Sequence, residues 1–327
     1  MAVVKAMFTT QEFSRTREEL ADRVRVTPLV RSDALTAAVG AEVSLKLESL
    51  QLTHSFKVRG AYGALLPRLE EARRCGVVTG SSGNFAQGIA YAARELGVKV
   101  TVVMLERSAP YKVEAARRLG AEIVFCPNDF SQRAQWVERI HREQGKLILH
   151  SYDDEHTIRG NGSLGFEIVE QLPDVDAVLV PTSGGGLLAG LAAVVKQLRH
   201  QVKVYGVQPE NLPAMKVSLE KGERTRVEIT PSMADGIVAD VPGQLNFPLI
   251  QKYVDDVFLV SEEEIARAVA HLFLQEKLVV EPSGALTVAA LQRYWPRGGG
   301  EKKIVAVLSG GNVQFERLVE IVRKNAG

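Results

Sequence analysis

A chain of 327 residues exceeds what one simple core holds and suits two lobes, and 46% apolar with 24% charged residues is a globular composition. The 40 basic and 39 acidic residues nearly cancel, which argues against nucleic acid or a membrane surface as a partner. Two cysteines, Cys75 and Cys126, cannot build a disulfide framework, and no Cys/His cluster has zinc spacing. Residues 1–10 lack a signal-peptide core and no run of about 18 apolar residues occurs, so a cytoplasmic protein is expected.

Thr9 and Thr10 ahead of Gln11-Glu12 cap an amphipathic helix running to about Val24. Thr27-Pro28 breaks it, and a short helix over Ser32–Val39 stops at Gly40. Residues 42–48 alternate as a strand does, and a helix follows Lys57 and ends near Gly76. A βα rhythm then sets in. Short strands at 76–79, 98–105 and 122–126 alternate with helices at 85–96, 111–119 and 131–144, with an extended piece at 147–150. Beyond Thr157 a second set begins, with a helix at 164–171, a buried strand at 177–180, a helix at 187–198 and a strand at 202–207. Residues 208–248 are punctuated by proline and read as irregular. A strand at 256–260, helices at 262–276 and 284–294, a strand at 304–308 and a helix at 314–324 finish the chain. The alternation predicts an α/β protein with parallel sheets flanked by helices. Residues 46–148 are expected to form a small lobe, and 1–45 with 149–327 a large one.

Within this frame Ser55-Phe56-Lys57-Val58-Arg59-Gly60-Ala61 stands out. A lysine in the first turn of a helix is most often a surface residue. Phe56 and Val58 beside it point instead to partial burial, which lowers an amine's pKa toward imine chemistry. The same grammar of apolar strand, Ser/Gly loop and helix also occurs three times, at Thr79–Asn84, Thr182–Gly186 and Leu308–Asn312. Each loop offers backbone N–H groups and a helix start at the carboxyl edge of a sheet, where anionic ligands bind. Three such loops suggest a phosphorylated cofactor together with a carboxylate substrate. Gly184-Gly185-Gly186-Leu187-Leu188-Ala189 also fits a dinucleotide fingerprint, but the next strand ends in Gln208 instead of an acid, and Glu210 lies beyond Pro209. A nicotinamide reading leaves Lys57 and the other two loops unused.

Ser55–Ala61, Ser81-Ser82-Gly83-Asn84, Ser183-Gly184-Gly185-Gly186-Leu187 and Ser309-Gly310-Gly311-Asn312 together resemble the signature of fold-type II pyridoxal-phosphate enzymes. The serine/threonine dehydratases are the nearest group and serine racemase a close relative. The resemblance runs through the whole chain, which ends soon after Asn312 as the short members without a regulatory domain do. It implies a two-lobed fold like the tryptophan synthase β chain, pyridoxal 5'-phosphate between the lobes, and a homodimer or homotetramer. It also implies that Lys57 holds the cofactor as a Schiff base and moves the substrate Cα proton, with Phe56 against the ring. Asn84 would meet the 3′ oxygen and Ser309 the ring nitrogen, while Ser183, Gly184, Gly185, Gly186 and Leu187 would hold the phosphate. A neutral serine partner makes the ring a weaker electron sink than an aspartate would, which favours β-elimination.

By the same resemblance Ser81, Ser82, Gly83, Asn84 and Phe85 would receive the amino-acid substrate. Ser82 matches the serine that acts from the opposite face in the racemase, and could equally be a helix N-cap. Gly160-Asn161-Gly162-Ser163 and Glu281-Pro282-Ser283-Gly284-Ala285 match segments near the site, though a loop and a helix start are the plainer readings. Glu281 would be a cofactor-side contact. Phe85 replaces the usual histidine, removing a polar group beside the pocket, and Ser183 replaces the first of four glycines. Gln208 and Ala214 occupy the positions where racemase-like members carry metal-binding carboxylates, so no metal is expected. The expected reaction is dehydration of a 3-hydroxy amino acid, L-threonine or L-serine, to a 2-oxo acid and ammonia. The alternatives are serine racemisation and dehydration of another substrate such as 3-hydroxyaspartate.

Overall fold

The computed structural model describes residues 8–295 and 300–325, so the N-terminal reading of residues 1–7 lies outside the described residues. Two sheets organise the chain. The larger has six strands: β1 (Leu29–Ser32), β2 (Glu42–Leu47), β7 (Ala177–Pro181), β8 (Lys203–Pro209), β9 (Asp256–Val260) and β10 (Lys303–Leu308). Their order is β1-β2-β10-β7-β8-β9, and every pair is parallel except β1 with β2. The smaller sheet has the order β5-β4-β3-β6, wholly parallel, from β3 (Val77–Gly80), β4 (Val100–Leu105), β5 (Glu122–Cys126) and β6 (Leu147–Ile148). β7 and β10 are apolar along almost their whole length because helices cover both faces, as parallel sheets require.

The helices are α1 (Thr10–Leu20), α2 (Asp33–Val39), α3 (Lys57–Leu65), α4 (Leu69–Cys75), α5 (Asn84–Glu95), α6 (Pro110–Arg118) and α7 (Phe130–Gln144). They continue with α8 (Glu155–Gln171), α9 (Gly186–Leu198), α10 (Ala214–Lys221), α11 (Asn246–Tyr253), α12 (Glu262–Leu274), α13 (Pro282–Tyr294) and α14 (Phe315–Lys324). Four differences from the sequence reading are instructive. β1 is an antiparallel edge strand with Val30 exposed, so its four residues carry no apolar pattern. The helix after Lys57 breaks at Leu66-Pro67-Arg68 into α3 and α4, as a proline inside a helical run forces. α8 begins at Glu155, capped by Asp154, and Gly160–Ser163 lie inside it and form no loop. The supposedly irregular 208–248 contains α10, whose start is capped by the buried Gln208 side chain.

Those helical glycines are spacers. A Cβ at Gly63 or Gly160 would strike the backbone of the opposite helix, so α3 and α8 cross at nearly backbone contact. Gly88 does the same between α5 and the Lys57–Val58 peptide. The helix that carries Lys57 is thus clamped between two neighbours.

Candidate active site

The loops after β3, β7 and β10 leave the carboxyl ends of their strands. β10 runs beside β7 in register, so Ser309 and Thr182 leave adjacent strands at one edge. The Lys57 segment is stitched to that edge. Ser55 bridges Gly310, Phe56 N–H donates to the Ser309 carbonyl at 3.1 Å, and Gly311 N–H donates to the His54 carbonyl at 2.9 Å. Phe56 is the N-cap residue of α3 and places its ring 4.8 Å from Lys57 Nζ.

Lys57 is half-buried, and among the described residues it makes no ion pair. Desolvation drives its amine down from 10.5 to about 8, with Glu281 pulling the other way. Glu281, 2% exposed, is pushed up from 4.5 to about 7 by burial, with Lys112 opposing and Asp235 reinforcing the rise. Glu281 is therefore about half protonated near pH 7, while Lys57 stays mostly charged there and gives up its proton about one pH unit higher.

Asn84 joins the two sides of this arrangement. Its Nδ2 donates to Glu281 Oε1 at 2.5 Å and its Oδ1 accepts from Asn312 Nδ2 at 3.0 Å. Asn312 Nδ2 also donates to the Thr53 carbonyl at 2.9 Å. One Asn84 N–H remains for a ligand. Ser309 is 6% exposed, and its hydroxyl approaches the Ser283 carbonyl at 3.5 Å.

The loop after β7 has the shape of an anion cradle. Gly185 has φ +100°, a left-handed conformation that admits glycine, and it caps α9 with no side-chain hydrogen bond. A Cβ at Gly184 would enter the Tyr152 ring, and one at Gly186 would strike the Tyr152 backbone. The Gly184 carbonyl is held by Gly243 N–H and by the buried Asn246 Nδ2, each at 2.9 Å. Ser183 Oγ accepts from Ala239 N–H at 3.1 Å, which leaves its own proton to donate. Thr182 Oγ1 is buried with no hydrogen-bond partner among the described residues. The cradle's open amides, its uncapped helix and the orphaned hydroxyl fit a phosphate group.

Two of the expected contact residues, Phe85 and Leu187, have buried side chains. Phe85 is 2% exposed and belongs to the apolar core cluster that also holds Val58, Tyr62 and Ile89. An apolar side chain facing α3 simply extends the buried stripe of α5. Leu187 is likewise a core side chain, in the first turn of the helix that the cradle opens. Ser82 does not cap α5. The N-cap is Gly83, without a side-chain bond, and Ser82 Oγ accepts from Ser108 Oγ at 2.7 Å and Leu105 N–H at 3.3 Å. Ser81 Oγ accepts from Gly83 N–H at 3.3 Å, which tightens the turn.

Several groups here have no signal in the sequence. Tyr152 closes the cradle, edge-on to His150 at 4.6 Å. His150 Nδ1 accepts from Asp153 N–H at 2.9 Å, so its neutral ring carries the proton on Nε2. Arg59 is wholly buried between Glu48 and Glu167. Gln208 caps α10 and Glu210 pairs with Arg293 at 2.6 Å, which accounts for both in structural terms.

The chain matches the family described as pyridoxal-phosphate dependent enzyme over residues 20–310, and it belongs to that family. It is 42% identical to the L-threonine ammonia-lyase of Thermotoga maritima over 318 residues, 97% of this chain and 79% of that protein. Among solved structures, a threonine deaminase of T.th. superposes with a TM-score of 0.88 at 40% identity, covering 93% of this chain and 98% of the other. Maize serine racemase superposes with a TM-score of 0.91 at 30% identity, covering 96% of each. No helix among the described residues is long and apolar enough to cross a membrane.

Proposed function

We propose that this protein is a pyridoxal-phosphate dependent dehydratase, an ammonia-lyase that removes water from L-threonine or L-serine. The observation that carries the reading is a desolvated amine, Lys57, stitched to the same sheet edge as a glycine cradle shaped for phosphate. Ser183, Gly184, Gly185, Gly186 and the Leu187 N–H would hold the phosphate, and Phe56, Asn84 and Ser309 the ring.

When bound, the cofactor supplies an aldehyde for an amine to attack and a ring that withdraws electrons from the adjoining carbon. Lys57 supplies the amine that holds it, and a low pKa keeps that amine nucleophilic. Once displaced, the Lys57 amine takes the Cα proton of the amino acid. The Ser81–Asn84 turn and the start of α5 meet the substrate carboxylate with backbone N–H groups. The hydroxyl leaves Cβ as water, and water returns when the released enamine hydrolyses. Threonine thus becomes a four-carbon 2-oxo acid plus ammonia, with no net gain or loss of water.

We infer no metal in the mechanism, a cytoplasmic setting, and a homo-oligomer with neither nucleic-acid nor membrane partners. The division into a lobe of residues 46–148 and another of 1–45 with 149–327 belongs to the same proposal, supported by the two separate sheets.

The test is 2-oxo acid release by purified protein from a panel of 3-hydroxy amino acids, with Lys57→Ala as control. Turnover of threonine or serine that disappears in the variant is the expected result. A cofactor-loaded protein inert toward both would overturn the assignment. The racemase alternative needs an acid–base group on the second face, and Ser82, bonded to Ser108 and Leu105, is its candidate. Ser82→Ala should abolish any racemisation and reduce elimination only several-fold, roughly. Loss of elimination with cofactor retained would show that Lys57 is not the only base.

A further inference from the structure

We propose that Asp153 and Asn246 are positioning residues for the cofactor's phosphate: they fix the Gly184–Gly185 peptide so that the Gly185 N–H faces the cradle. The inference rests on the reading of that loop as a phosphate site and deepens it, because it says what sets the direction of the amide.

Asn246 is wholly buried at the first position of α11, and its Nδ2 donates to two carbonyls, Gly184 at 2.9 Å and Tyr152 at 3.1 Å. Two acceptors on one side fix which way the side-chain amide is turned. Gly243 N–H gives the Gly184 carbonyl its second donor, at 2.9 Å. In a trans peptide the carbonyl and the following N–H point in opposite directions. The paired donors therefore turn the Gly185 N–H away from Asn246. Gly185 is buried, and among the described residues its N–H donates to no backbone carbonyl. A buried amide without an acceptor is the exception in folded proteins, and this one lies at the uncapped start of α9.

Asn246 is in turn placed by Asp153. That residue lies in the connection between β6 and α8, and its carboxylate accepts from Gln244 N–H and Leu245 N–H, each at 2.8 Å. It supplies the cap that α11 lacks from its own N-cap residue, Leu245. Gly243 permits the approach, since a Cβ there would strike Asn246 Nδ2 and the Asp153 carboxylate. The charged groups that act most on Tyr152, at the side of the cradle, are Asp153, Arg133, Arg224 and Arg226. Arg224 donates to the Pro242 carbonyl at 2.8 Å, and Arg226 pairs with Asp240. Charge and position therefore make opposite demands on Asp153. Removing an anion beside an anion site strengthens phosphate binding by charge alone, whereas loss of the anchor weakens it. Asn246 carries no charge, so its removal tests position only.

The experiment takes the full-length protein freed of cofactor, as wild type, Asp153→Ala and Asn246→Ala. It measures dissociation constants for pyridoxal 5'-phosphate and for pyridoxal by absorbance, and for inorganic phosphate by calorimetry. Wild type should favour the phosphorylated compound by at least about 1000-fold, and each variant should shrink that ratio about tenfold while changing pyridoxal affinity less than about twofold. Inorganic phosphate should weaken about tenfold in both variants. An unchanged ratio would overturn the inference. So would an equal loss for both compounds, which marks a purely structural role, or tighter phosphate binding by Asp153→Ala, which marks charge alone. Should an alanine variant not fold, Asp153→Asn keeps an acceptor and Asn246→Ser keeps a donor, and a shift of about threefold in the ratio decides. If wild type itself binds the two compounds equally, the loop holds no phosphate, and that reading falls together with the inference.

Discussion

Lys57 and Arg59 stand two positions apart at the start of α3, and burial treats them in opposite ways. Lys57 has an aromatic ring and a near-neutral carboxyl for company, and burial brings its amine down to about 8. Arg59 is matched at every nitrogen. Nε and Nη2 each reach Glu48 at 2.8 Å, Nη1 reaches Glu167 at 2.6 Å and Ser163 Oγ at 3.1 Å, and Nη2 also meets the Arg25 carbonyl at 3.1 Å. Lys46 completes the group, with its Nζ 2.6 Å from Glu167 and 2.7 Å from both the Thr27 carbonyl and Gln171 Oε1. Burial alone would strip the Arg59 proton and raise Glu48, but their mutual attraction overrides it, raising Arg59 and lowering Glu48. Two cations and two anions cancel inside the core. A charge given its full set of partners holds the scaffold, and one denied them becomes reactive.

The comparison breaks most visibly if the two side chains are exchanged for methionine. Lys57→Met should cut turnover by at least about 10³-fold, because no other amine takes its place. It should leave the cofactor-free protein as stable as wild type or more so, since a desolvated amine without an ion pair is removed. Arg59→Met strands Glu48 and leaves Glu167 with Lys46 alone, and urea denaturation should show a loss of about 3–5 kcal/mol. Equal stability losses from the two substitutions would mean that Lys57 has a partner of its own. A smaller effect is expected at the cradle. Gly184→Ala drives a methyl into the Tyr152 ring and should cost about 1–3 kcal/mol, with recovery in Gly184→Ala/Tyr152→Leu if overlap is the cause.

This contrast also explains what can be read from the chain. The strand–loop–helix rhythm, the three glycine loops and Lys57 are local patterns, each contained within about ten consecutive residues, and they are legible. Arg59 sits inside the most informative motif, yet its role depends on Glu48, Glu167, Lys46 and Thr27, and no spacing rule connects those positions. Tyr152 and Asn246 are silent for the same reason, being brought in by crossings of the chain far from the loops they touch. Phe85 defeats sequence reading because its position after Asn84 says which helix it is on and nothing about which way it faces. Its 2% exposure follows from the packing of α5 on α3 through Gly88. The edge strand β1 and helix α10 escape notice through short length and a cap supplied by Gln208.

The finest test of the contrast is its pH dependence in cofactor-free protein. Glu281 has a folded-state pKa of about 7 against an ordinary 4.5, so between those values the folded chain keeps a proton that the unfolded chain has released. Its contribution to stability is complete below 4.5 and is lost as pH rises through 7, on the order of 1–3 kcal/mol. Lys57 has the opposite sense. Its pKa is about 8 folded against 10.5 ordinarily, so stability rises with pH across that later window as the unfolded chain gives up its proton. Urea midpoints at half-unit steps from about pH 5 to 10 should therefore dip between about 7 and 8. Glu281→Gln should flatten the acid side of the dip, and Lys57→Met the alkaline side. If neither substitution changes its slope, both groups are charged across the neutral range and form an ion pair like that of Arg59, and the difference between the two positions disappears.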